Sequence, residues 1–113
     1  MYARISRFEG GSADVVRAEF DKVRRDVESL RSGTASGEAG RLGDLVDRLV
    51  MLADDGSGHS AVIAYCETQD QVREVDRIME SMSPATDQGH RVSVDLYEVV
   101  VDESLRSAGS KAA

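Results

Sequence analysis

Apolar residues recur along this chain with two periods, and the period changes at glycine-rich breaks. Tyr2 to Phe8 is short, contains β-branched and aromatic residues and alternates loosely, which predicts a first strand. Gly10 and Gly11 end it, Ser12 suits an N-cap, and Asp14 suits the positive end of a helix dipole. From about Ala13 the apolar positions Val16, Phe20, Val23, Val27 and Leu30 fall at spacings of three and four, so the segment predicts a helix with one buried side. Ser32 to Gly43 has no periodicity and four glycines, and reads as a flexible connection. Two apolar runs, Leu45 to Ala53 and Ala61 to Cys66, flank the turn residues Asp54-Asp55-Gly56-Ser57-Gly58 and predict a β-hairpin.

Thr68 and Gln71 have the spacing of a reciprocal capping box, and Val72, Val75, Met79 and Met82 follow at helical intervals. A second amphipathic helix therefore runs to about Met82, and Pro84 stops it. Val92, Val94, Leu96 and Val100 line one face of a last strand over about Arg91 to Val101. Residues 1–102 thus form one expected domain of order βαββαβ, and residues 103–113 a loose tail. The expected class is α+β: a ferredoxin-like sandwich with two helices on one face of a four-stranded, mainly antiparallel sheet. Two helices cover one side only, yet the strands are apolar on both parities, so the second face predicts a partner.

Composition narrows the function classes. The 14 basic and 21 acidic residues give a net charge of -7, without the basic footprint that binding phosphate backbones requires. No nucleic-acid partner is expected. The longest apolar runs are far shorter than the ~20 residues that span a bilayer, so no membrane association is expected either. One cysteine excludes an internal disulfide framework, and the opening MYARISRFEG is charged where a secretory signal would be apolar, which together favour a cytoplasmic setting.

Four stretches carry a resemblance: the opening Met1 to Gly10, the hairpin turn into Ala61 to Cys66, the Glu67-Thr68 helix entry and the closing Tyr97-Glu98-Val99. Across Met1 to Asp102 the chain resembles the dimeric α/β barrel superfamily, in particular small antibiotic-biosynthesis-monooxygenase-like proteins. The resemblance implies a homodimer whose two sheets meet face to face. The function expected with it is that of a homodimeric α/β-barrel protein binding a small molecule in a barrel or helix–sheet cavity, with two alternatives: a cofactor-independent monooxygenase or isomerase acting on a small aromatic or polyketide-like substrate, and a non-catalytic interaction module. Haem-degrading relatives use an Asn, a Trp and an axial His, and this chain has no Asn and no Trp. No cofactor is expected.

Individual residues add little chemistry. His59 and His90 fall in or beside loops, and neither has a companion at ligand spacing. Asp54-Asp55-Gly56 lacks the alternating ligands of a calcium loop and reads as a turn. Cys66 ends an apolar strand beside Glu67, a setting that raises a thiol pKa, and it reads as an inert core residue. Met51, Met79 and Met82 read as packing. The most informative set is Arg4, Asp95 and Tyr97, on strands that this topology makes antiparallel neighbours. Arg4 and Asp95 are expected to pair across the ladder with Tyr97 nearby, as a structural ion pair or as a small polar site for an anionic or phenolic ligand.

Overall fold

The computed structural model describes residues 1–11, 13–33, 37–54, 56–82 and 89–106. In chain order its elements are β1 (Tyr2–Gly10), α1 (Ala13–Ser32), α2 (Gly37–Leu45), β2 (Arg48–Asp54), β3 (His59–Cys66), α3 (Gln69–Ser81) and β4 (Gly89–Glu98). The four strands form one sheet in the order β2-β3-β1-β4, with every neighbouring pair antiparallel. This is the ferredoxin-like α+β arrangement expected from the sequence, with one added helix. The expected calcium-free turn includes Asp55, which lies outside the described residues, as do residues 107–113 of the expected tail.

Local chemistry builds α3 as its sequence predicts. The Thr68 side chain accepts from the Gln71 amide at 3.1 Å, and the Gln71 side chain accepts from the Thr68 amide at 3.1 Å, so the capping box closes in both directions. Val72, Val75 and Ile78 then pack onto Ala64, Cys66 and Leu42 to make the buried core. At the hairpin, Asp54 accepts from the Gly56 amide at 3.0 Å and the Ser57 hydroxyl at 2.9 Å, and these bonds hold its carboxyl below the usual carboxylate range.

Two stretches depart from the sequence reading. The segment from Ser32 to Gly43, expected as a flexible connection, contains most of α2, and Leu45 closes that helix rather than opening a strand. Glycines at 37, 40 and 43 make α2 a poor helix by propensity. Tertiary contacts override this: Leu42 is buried in the core, Glu38 pairs with Arg77 of α3 at 2.9 Å, and Arg41 reaches Glu74 at 3.7 Å. The last strand also ends earlier than expected, at Glu98 rather than Val101. A single further ladder bond, from the Val99 amide to the Met1 carbonyl at 2.9 Å, closes the pairing with β1.

Register assigns the faces. Arg4 pairs with Ala64 and Leu96, so Tyr2, Arg4 and Ser6 share the helix-covered side with Ala64, Cys66 and Leu49. Ala3 pairs with Tyr65 and Tyr97, so the other side carries Ala3, Ile5 and Arg7 with Ile63, Tyr65, Val50, Leu52, Asp95 and Tyr97. No described helix packs on that second side. Ala3, between the two tyrosines, is its one deeply buried apolar residue.

Candidate functional site

The expected pairing of Arg4 with Asp95 does not occur. In β1 and β4 the residue opposite Asp95 is Ile5, which puts Asp95 on the open face and Arg4 beneath α3. Asp95 instead accepts from Arg7, Nη1 to Oδ2 3.2 Å, and both side chains are exposed. Tyr97 lies on the same open face as Asp95 and is itself exposed. The structure therefore brings Asp95 and Tyr97 onto one surface and separates Arg4 from both. Parity within each strand was legible, but parity cannot state how one strand is offset from the next.

Arg4 has other partners. Its Nε donates to Asp76 Oδ1 at 2.9 Å, Nη2 to Glu80 Oε1 at 3.2 Å, and Nη1 to the Met79 sulfur at 3.1 Å. Glu80 also accepts from Arg91 through two bonds of 2.8 and 3.0 Å, so it bridges two guanidinium groups. The Arg4 side chain is only 4% exposed. A sequence signal for this cluster did exist: Asp76 and Glu80 stand one helical turn apart, a like-charge spacing that is unfavourable unless a cation lies against it.

The remaining candidates also find their places. His59 is exposed, with Nε2 3.6 Å from Glu9. His90 lies within β4, opposite Glu9 in register, rather than ahead of the strand. Cys66 is fully buried, and burial pushes its thiol up. Met79 packs against the core and Met51 borders a cleft, whereas Met82, expected inside, caps α3 and is exposed. Among the described residues no cluster of three His, Cys, Asp or Glu side chains could hold a metal ion.

The sequence reading expects a small-molecule cavity in the barrel or between helices and sheet without naming its lining, and the structure has a cleft of about 830 Å³ between α1 and the β2 side of the sheet. Phe20, Val23, Val27 and Leu30 of α1 line one wall, and Leu49 and Met51 of β2 line the other. The apolar stripe of α1 announced that this face avoids water, but the four residues are only half-buried. The stripe faces a gap that the sheet does not fill. Arg24, Glu28, Arg31 and Asp47 supply the charged border. The size lies within the range of about 300–1,000 Å³ typical of small-molecule sites, as does the mixture of an apolar interior with a few polar groups. No helix among the described residues is long and apolar enough to cross a membrane.

No protein-family model matches the chain, and no curated protein matches its sequence. Among solved structures it is similar to a dimeric ferredoxin-like protein from an uncultured marine organism, with a TM-score of 0.56 and 11% sequence identity, over 93% of this chain and 98% of that one. At that identity the likeness is one of fold.

Proposed function

We propose that this chain works as a homodimer and binds a small amphipathic molecule in the cleft under α1. The cleft carries the reading: an apolar interior built from Phe20, Val23, Val27, Leu30, Leu49 and Met51, bordered by Arg24 and Arg31, suits a compact hydrophobic body with an anionic end. Self-association is supported by the open sheet face, where Ile5, Val50, Leu52, Ile63, Tyr65 and Tyr97 are brought together with no helix of the described residues over them. The similar solved structure is itself described as dimeric, which supports the same arrangement. Two such faces stacked together make the α/β barrel of the superfamily that the sequence resembles. Kinship with its antibiotic-biosynthesis-monooxygenase-like members, and a cytoplasmic setting for the single buried thiol, belong to this reading. Turnover is not part of it: the cleft border offers Glu28 and Asp47 as proton acceptors, and both are open to solvent.

The test uses anilinonaphthalene sulfonate, an apolar fluorophore with one anionic group, titrated against the wild-type chain and against Val27→Trp. The larger side chain fills the cleft from the α1 wall. Saturable binding at one probe per protomer, weakened at least about tenfold in Val27→Trp with an unchanged circular dichroism spectrum, supports the proposal. Equal binding by the two proteins overturns it.

A further inference from the structure

Arg4 and Ser6 are the two deeply buried polar side chains among the described residues, and both stand on the helix-covered face of β1. Ser6 gives its hydroxyl to the Val62 carbonyl of the neighbouring strand at 3.5 Å. Stability does not account for Arg4, because a buried ion pair can often be replaced by apolar side chains of similar volume without loss. Its three nitrogens are also served unequally. Nε and Nη2 each face a carboxylate, whereas the acceptor of Nη1 among the described residues is the Met79 thioether at 3.1 Å, and a thioether is a weak acceptor.

That thioether stands between Arg4 and the cleft. Met79 lines the cleft together with Leu42 and Leu49, while its sulfur touches the guanidinium. The sheet places little else between them. Leu49, Ala64 and Arg4 lie in one cross-strand row, so the cleft wall and Arg4 are two strand spacings, about 10 Å, apart, and the residue between them is an alanine. Methionine is unbranched with three rotatable bonds, so the Met79 side chain can swing aside without moving the helix.

Charge decides what can take its place. Two cations, Arg4 and Arg91, face two carboxylates, Asp76 and Glu80. The group is balanced, and a further full charge held there out of water would be uncompensated. A neutral oxygen keeps the balance as the sulfur does, and it accepts more strongly from a guanidinium. The anionic end of a ligand has Arg24 and Arg31 at the solvent-exposed border instead. We infer that the ligand carries a carbonyl oxygen within its apolar body, as a ketone, ester or amide, and that this oxygen displaces the Met79 sulfur and accepts from Arg4 Nη1; the assignment rests on the ligand cleft proposed above. Arg4 is then a specificity residue, because a molecule that lacks the oxygen cannot satisfy the buried donor once Met79 has moved.

The experiment uses two matched fluorescent probes, 6-propionyl-2-(dimethylamino)naphthalene and its 6-propyl analogue, which differ by the one carbonyl group. Both are titrated against the wild-type chain, Arg4→Met and Met79→Gln, and anilinonaphthalene sulfonate is titrated against each protein as the measure of the cleft itself. Arg4→Met removes the donor. Met79→Gln leaves the ion pairs in place and supplies its own carbonyl oxygen to Nη1, so it decides the matter alone if Arg4→Met does not fold. The expected result is that the affinity of the ketone relative to the alkyl analogue falls at least about tenfold from wild type to either variant, while sulfonate binding changes little. An unchanged ratio in either folded variant, with the sulfonate still bound, overturns the carbonyl anchor and leaves the cleft standing. A wild-type chain that binds none of the three probes overturns both.

Discussion

Removing the Arg4 cation and removing its carboxylates should have very different effects, although either breaks the same ion pairs. The guanidinium is 4% exposed, whereas Asp76 and Glu80 are 32% and 40% exposed. In Asp76→Ala/Glu80→Ala the buried cation loses both counter-charges and keeps only the Met79 sulfur, so an uncompensated charge remains out of water. The expected cost is about 3–5 kcal/mol, a large part of the total stability of a domain this size. In Arg4→Met the apolar stem is replaced by one of similar shape, and water reaches the two carboxylates that remain. Glu80 keeps its two bonds to Arg91. The residual penalty is lost charge-assisted hydrogen bonding plus the repulsion between Asp76 and Glu80, about 0–1.5 kcal/mol in all. The two variants should therefore differ by about 1.5 kcal/mol or more. Urea unfolding followed by far-ultraviolet circular dichroism measures this, at one fixed protein concentration because association would shift the midpoint. Asp95→Ala serves as the control: the Arg7–Asp95 pair lies in solvent, and its loss should cost about 0–1 kcal/mol. An Arg4→Met protein as unstable as the double carboxylate variant, or more so, would refute the reasoning.

Two further outcomes follow from the core and the hairpin. Burial raises the Cys66 thiol above its ordinary 9.0, so the stability it contributes is complete below that value and is lost as the pH rises through and beyond it. The stability gap between wild type and Cys66→Ala in urea should accordingly shrink between about pH 7.5 and 9.5, and a constant gap would contradict the assignment. Gly58 has φ +72°, and a Cβ placed there would lie 2.7 Å from the Gly11 carbonyl oxygen. Gly58→Ala should therefore destabilise by about 1–3 kcal/mol, read as a lowered thermal midpoint, with no loss predicting that the turn can relax.

Most of the sheet and two of the helices were legible because their signals are local. Alternation marks the strands, the spacing of Val72, Val75 and Met79 marks α3, and Thr68 with Gln71 states where it begins. Each of these acts between residues a few positions apart, so the order of residues contains the whole argument. What lay outside local reach was decided in three dimensions. The helix α2 has too many glycines to form on its own merits and exists because Leu42 packs into the core and Arg77 and Glu74 hold its exposed side. The cleft depends on how far α1 stands from Leu49 and Met51, a distance that no periodicity encodes. Arg4 pairs with Asp76 and Glu80 rather than Asp95 because a strand's parity sorts its side chains into two sets without saying which set lies against the helix or which residue of the next strand lies opposite. That offset is set by hydrogen-bond register and core packing across residues more than seventy positions apart, which only the folded chain brings together.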